Sequence, residues 1–477
     1  MRKGRKRVLA LTLSMVFAAS TIMPYGNQFV HAKSKEPKVI MIDNTAKYPY
    51  LDTSLSFEER AADLVSRMTL EEKQSQLKAR TAAAIPRLGV RAYDWWSEAL
   101  HGVARSGEAT SFPTGLGIAS TWNRELTNEM MSATSDEARA YTNKKGKGLS
   151  YWSPTINMAR DPRWGRAEET FGEDPYLTAQ IAENFINGLQ GADDNTKYLK
   201  AIATVKHFAA NNSEYNRHSG DAQMDERTLR EYYTPAFKDS VENANVQSLM
   251  ASYNRVNGTP MAANKYMLDT MLRRTWGFDG YVTTDCWALD DFWKDHKWIP
   301  EGWDHVVTPT ETTALAIQAG TDLNCGDVYA SQAINAVNEG ILSEDDIDVA
   351  LTRLFTARMR TGEFDNPKDV PYTSEEYSWE NQISAEDHTK IAEQSSDEAV
   401  VMLKNDNVKG TEKKLLPLDK ESTDKIVIVG DLADDVILGD YSGSPKEENK
   451  STPVQGLQNL LGKEKVTYIQ AGADTIN

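Results

Sequence analysis

The sequence predicts an α/β protein, a (β/α)8-type barrel followed by the beginning of an α/β sandwich domain. Three observations carry this expectation. Short runs rich in β-branched and aromatic residues alternate with amphipathic helical stretches up to Arg360, and such alternation builds parallel sheets from β-α units. The pattern breaks at Thr361-Gly362-Glu363-Phe364-Asp365-Asn366-Pro367, a helix stop followed by a polar stretch with two prolines. The length of 477 residues also exceeds one ordinary domain.

In chain order, Met1 to Arg7 is basic, Val8 to Met23 is apolar, and Val30-His31-Ala32 precedes Lys33. A basic start, an apolar run and small residues at −3 and −1 read as a signal peptide over 1–32, cleaved after Ala32. A membrane anchor is the alternative, although the run is shorter than the ~20 residues that span a bilayer. The expected destination is extracellular or periplasmic, with no membrane attachment after cleavage. Residues 33–366 are read as the barrel domain, 367–384 as a linker, and 385–477 as an incomplete α/β sandwich unit.

Within the barrel region, Ser56 with Glu59 and Thr69 with Glu72 form capping boxes that open two helices. Strand patterns follow between Ala84 and Trp96 and near 150–156, 201–207, 247–253, 281–284 and 321–325. Helices are expected at Glu311–Ala319 and Glu344–Arg360. The second unit is expected to hold a helix from Ser384 to Ala399, then strands at Val400–Lys404, Ile426–Gly430 and Val466–Ile469. Four or so elements are few for an open α/β sheet, and this unit reads as cut short.

The formal charge is −17, and residues 1–32 carry five basic and no acidic residues, so their removal leaves −22. This argues against nucleic acid, whose phosphates call for a basic face. No His or Cys cluster has metal-ligand spacing, and no organic cofactor is implied. The two cysteines, Cys286 and Cys325, end adjacent strand patterns; they either pair after export or serve as two reduced apolar fillers.

The stretch Gly277-Phe278-Asp279-Gly280-Tyr281-Val282-Thr283-Thr284-Asp285-Cys286-Trp287 is a glycine-rich turn, a short strand and a carboxylate where the strand stops. In a parallel barrel that position is where chemistry is done, and an ionised Asp285 there suits a nucleophile. The plain alternative is an Asp that caps the next helix. Upstream lie Tyr93-Asp94-Trp95-Trp96-Ser97-Glu98-Ala99-Leu100-His101-Gly102, Arg160-Asp161-Pro162-Arg163-Trp164-Gly165-Arg166, Lys206-His207-Phe208 and Met250-Ala251-Ser252-Tyr253-Asn254. With the Asp285 segment and in this order, they closely resemble glycoside hydrolase family 3, exo-acting β-glycosidases.

The resemblance implies a retaining hydrolase of terminal, non-reducing β-linked sugars, in which Asp285 is the nucleophile. It implies that Lys206 and His207 bind sugar hydroxyls, where an isolated Lys-His-Phe reads as a salt bridge and a packed ring. Arg166 resembles the arginine that reaches a hydroxyl, with Arg163 left to loop structure. Glu98 resembles the carboxylate that accepts from hydroxyls remote from the scissile bond. Tyr253 resembles the tyrosine that steadies the nucleophile, a core tyrosine being the alternative, and Trp287 is the candidate stacking platform.

In two-domain relatives the acid/base is a glutamate of the second domain, and by the match of Leu438-Gly439-Asp440-Tyr441-Ser442-Gly443 it is expected beyond Asn477. Single-domain relatives use a histidine in the loop after Lys-His-Phe; here that loop holds His218 without its adjacent Asp. The Trp-Trp-Ser-Glu-Ala-Leu-His-Gly segment, Asp285-Cys286 and Asp322-Leu323-Asn324-Cys325-Gly326 resemble the β-xylosidase branch. Asn211-Asn212 and Asp225 to Glu231 resemble bacterial β-glucosidases as well. The expected partner is an oligosaccharide or glycoside; the alternatives are β-glucosidase activity, or a chain that binds sugars with little turnover.

Overall fold

The computed structural model describes residues 48–194 and 196–470; the leader read at 1–32 lies outside them. A parallel sheet runs β1 (Ser150–Tyr151), β2 (Ile202–Phe208), β3 (Ser248–Ala251) and β4 (Tyr281–Thr284), in that spatial order. Every residue of these four strands is buried. Helices on the outer face explain why the strands read as continuous apolar runs instead of alternating ones.

Backbone pairing continues past the regular strands and closes on itself. Thr283 pairs in parallel with Leu323, and Lys78 with Asn324. The Trp95 N–H then donates to Ala79 O, and the Trp152 N–H to Ser97 O, both at 2.8 Å. The ring among the described residues therefore passes through segments near 78, 95, 150, 202, 248, 281 and 323. Its first two members run antiparallel, with Ala82 opposite Tyr93. They are joined by the turn Pro86–Leu88 and by Gly89 at φ +66°, within the stretch from Ala84 to Trp96 that reads as strand. A hairpin in place of the first β-α unit gives a barrel of the expected type with seven ring segments.

The helices follow their end signals. Phe57–Ser66 and Leu70–Gln76 each begin at a complete capping box, on Ser56/Glu59 and Thr69/Glu72. Pro309–Ala319 and Glu344–Arg360 lie where expected. The segment just after the last of these is tied to the first helix by a buried ion pair between Arg60 and Asp365, to which the Tyr198 hydroxyl donates at 2.6 Å. Burial works against the Asp365 carboxylate, but Arg60 and Tyr198 more than offset it and hold its pKa below the usual range.

Removing one member of a buried pair strands the other charge. Asp365→Ala is expected to destabilise the chain by about 3–5 kcal/mol, read as a loss in chemical-denaturation midpoint. Because the folded pKa is depressed, this contribution is present above the ordinary carboxylate pKa near 3.8 and fades as pH falls through the lower folded value. The wild-type advantage over the variant should therefore shrink only in strong acid.

The second unit contains the helix Glu386–Glu398 and a parallel pair, β5 (Ile426–Val429) with β6 (Val466–Ile469). The expected strand at Val400–Lys404 does not form. It has no strand partner among the described residues, and Val400 and Leu403 are 78% and 93% exposed. An apolar run becomes a strand only where an edge receives its backbone groups.

Candidate active site

The C-terminal ends of the barrel strands converge on Asp285. Strand β4 stops at Thr284, and the Asp285 N–H donates to Ala251 O at 3.0 Å. Its side chain does not cap a helix: the next one, Asp291–Lys294, has Asp290 at its N-cap position. Instead Oδ1 accepts the Cys286 N–H at 2.8 Å, and the Tyr253 hydroxyl is turned toward the same carboxylate. Burial raises the Asp285 pKa, while Arg166, the Cys286 N–H, Lys206 and Tyr253 pull against it. Burial and the Asp285 charge both push the Tyr253 hydroxyl well above its ordinary pKa, so it remains a donor.

Cys286 and Cys325 are joined in a disulfide with Cα atoms 4.4 Å apart. Beside the bridge the Trp287 N–H donates to Cys325 O at 2.6 Å. The turn that carries Asp285 is thereby sewn to the next ring segment. The bridge closes a chain segment with a separation of 39 residues, which by the chain-entropy argument is worth about 4 kcal/mol. Trp287 takes φ +64° and is 61% exposed, an aromatic face turned outward next to the carboxylate. Trp95, by contrast, is a core residue packed edge-on against Tyr93 and Tyr281.

Two cations flank this centre. Lys206, near the end of β2, donates to Glu98 Oε2 at 2.9 Å, and both side chains are buried. Burial raises the Glu98 pKa and Lys206 opposes the rise. Arg166 forms a fork on Glu169, with both contacts at 2.7 Å, while Arg163 pairs with its exposed neighbour Asp161. A fork of this kind fixes the guanidinium plane as well as its position.

His207 is held by a reciprocal clasp. Asn157 Oδ1 accepts the His207 backbone N–H at 2.9 Å, and Asn157 Nδ2 donates to His207 O at 2.8 Å. With Oδ1 fixed as an acceptor, the ring Nδ1, 3.0 Å away, must be the protonated nitrogen. Burial, then Arg166, Lys206 and Arg217, hold the pKa of this imidazole well below its ordinary value, so it is neutral. Its Nε2 is then an acceptor, 3.5 Å from Asp285 Oδ2. A ligand hydroxyl can donate there.

All seven carbohydrate-site candidates of the sequence thus belong to one neighbourhood: Glu98, Arg166, Lys206, His207, Tyr253, Asp285 and Trp287. The structure adds further residues and pairings to this neighbourhood. Asn157 orients His207, and Glu169 orients Arg166. Arg217 lies over the Tyr253 ring at 5.0 Å. His218 packs edge-on against Tyr253 at 4.6 Å and faces Asp291 Oδ2 from 2.9 Å. The partner that His218 lacks in its own loop is therefore supplied from beyond β4. Tyr441 of the second unit stands over Lys206. An asparagine just past a buried strand was a legible signal for Asn157; the other pairings are tertiary.

A polar cavity of about 210 Å3 opens beside Glu98, with Arg80, Asp94, Trp96 and Arg105 in its wall. Among the described residues no group of three or more His, Cys, Asp or Glu side chains is placed to hold a metal ion. No helix among them is long and apolar enough to cross a membrane.

Fold and site define a barrel protein with a carboxylate centre, flanked by two cations and a neutral imidazole, at the C-terminal ends of its strands. The chain belongs to glycosyl hydrolase family 3. The family's N-terminal domain matches residues 55–357 and its C-terminal domain residues 400–476. The chain is 38% identical over 421 residues to a probable exo-1,4-beta-xylosidase of Aspergillus terreus, covering 84% of this chain and 52% of that protein. It is 37% identical to a xylan 1,4-beta-xylosidase of Xylanibacter ruminicola, covering 90% and 49%.

Among solved structures, a family 3 exo-beta-xylosidase in complex with a xylobiose aziridine activity-based probe superposes with a TM-score of 0.80 at 34% identity, covering 89% of this chain and 54% of that one. Beta-glucosidase 3B of Thermotoga neapolitana, in complex with alpha-D-glucose, gives 0.68 at 25% identity, covering 87% and 55%. The chain spans about half the length of the curated relatives it matches.

Proposed function

We propose that this chain carries the nucleophile and sugar-binding half of an exo-acting, retaining β-glycosidase that removes terminal non-reducing sugars from plant-type oligosaccharides, with β-xylosides as preferred substrates. The observation that carries it is the Asp285 carboxylate, set at a strand end by the Cys286 N–H and Tyr253 and faced by Arg166 and Lys206. Such a carboxylate attacks the anomeric carbon while the aglycone oxygen departs with a proton from a second group, and water then releases the sugar with retained configuration. Glu98, Lys206 and the bare Nε2 of His207 take the hydroxyls, and Trp287 offers an apolar face.

In this reading residues 33–366 form the catalytic barrel, 367–384 the linker and 385–477 a second α/β unit. Residues 1–32 direct export, which suits the disulfide; the mature protein should begin at Lys33 by mass spectrometry. The names of the xylosidase relatives support the pentose preference, and the Cys286–Cys325 bridge fixes the turn that carries the nucleophile. The second reading is a β-glucosidase, favoured by the likeness to glucosidase structures. Nitrophenyl β-xyloside and β-glucoside, compared by kcat/KM, separate the two: xyloside should be preferred by at least ~10-fold, and a glucoside preference would sink the xylosidase reading.

A further inference from the structure

We propose that Tyr441, delivered by the second unit, is a specificity-determining wall of the sugar pocket that excludes a hydroxymethyl group at C5 and so selects pentosides. The inference rests on the reading of Glu98 and Lys206 as the pair that holds hydroxyls remote from the scissile bond, and it names the residue that sets substrate class there.

The Tyr441 ring centroid lies 4.7 Å from Lys206 Nζ, within cation–π distance. Lys206 is itself 2.9 Å from Glu98. A pyranoside whose C4 hydroxyl meets this pair carries its C5 substituent on the adjacent ring carbon, beside the same ammonium. The phenol ring already occupies the space over that ammonium. Carbon atoms in contact settle about 3.5–4.0 Å apart, so a hydroxymethyl cannot share the gap between ring and ammonium. The C5 methylene of a xyloside carries no such group.

The wall is rigid because its loop is docked. Asp440 O accepts from His101 Nε2 at 2.8 Å, Ser442 and Ser111 hydroxyls meet at 2.6 Å, and the Ala109 N–H donates to Ser444 O at 3.0 Å. A Cβ on Gly443 would stand 1.9 Å from Thr110 O, so only glycine permits this approach. Tyr441 itself takes φ +59°, a region a bulky residue enters only when its surroundings impose it. The Arg105 guanidinium braces it, 5.1 Å from the Tyr441 ring and 5.0 Å from that of Trp96.

The test uses the 477-residue chain with dinitrophenyl 2-deoxy-2-fluoro-β-xyloside and the corresponding glucoside, scored by intact mass. In each case an Asp285 oxygen bonds to C1, the C1–O bond breaks, and dinitrophenolate leaves with the electron pair, so no proton donor is needed. Wild type should label faster with the xyloside. Tyr441→Ala should narrow the xyloside-to-glucoside ratio by ~10-fold or more, the scale of discrimination by one small group, whereas Tyr441→Phe keeps the ring and the ratio. Gly443→Ala, which pushes the loop off Thr110, should narrow it as well. An unchanged ratio in Tyr441→Ala with xyloside labelling intact overturns the role of Tyr441 alone. Absence of wild-type labelling by either sugar overturns the nucleophile reading beneath it.

Discussion

Asp285→Asn is expected to abolish glycosyl-enzyme formation, cutting the rate of dinitrophenolate release from dinitrophenyl β-xyloside by roughly four orders of magnitude, or about 5 kcal/mol of transition-state stabilisation. The amide fits the same hole, since its oxygen can still accept the Cys286 N–H, and Lys206, Arg166 and Tyr253 stay in place. The melting temperature should therefore change little. What is lost is the charged oxygen that forms the bond to C1. The same argument fixes the acidic limb of the wild-type pH profile: burial raises the Asp285 pKa above 3.8, so activity should fall off at a higher pH than an exposed aspartate would give. Retention of the wild-type rate by a folded Asn variant would mean that another group attacks.

Much of this centre was legible before the fold was known, for a physical reason. A strand end in a parallel barrel places whatever residue follows it at the reactive rim, so Tyr281–Thr284 and then Asp285, or the end of β2 with Lys206 and His207, announce themselves locally. Helix starts were equally legible, because a capping box satisfies its donors within four residues, as Ser56 and Glu59 do. The features that escaped depend on chain segments far apart. His218 finds its carboxylate 73 residues on, at Asp291, far outside its own loop. Tyr441 reaches Lys206 because His101 receives Asp440 across 339 residues, and nothing in Leu438 to Gly443 specifies that docking. Val400–Lys404 failed in the opposite sense: its composition favours a strand, but a strand also needs an edge.

The second large effect concerns the proton that an aglycone needs. Glu98 is engaged by Lys206, and Glu169 gives both oxygens to Arg166. A carboxylate held in this way positions a cation and is a poor general acid. The 477-residue chain should therefore release dinitrophenol from its xyloside, since dinitrophenolate departs unprotonated, while cleaving xylobiose slower by a further ~10²–10⁴-fold, the usual contribution of general acid catalysis. Azide should accelerate turnover of the dinitrophenyl substrate, because an anionic nucleophile attacks the glycosyl-enzyme without a general base. The contrary outcome is ready cleavage of xylobiose that disappears in Asp285→Asn, which would place an acid/base within these residues. His218 and Asp291 would then be the pair to replace first: burial pushes the Asp291 carboxyl up to about 7 against the pull of His218, and the His218 ring packs on the tyrosine that holds the nucleophile.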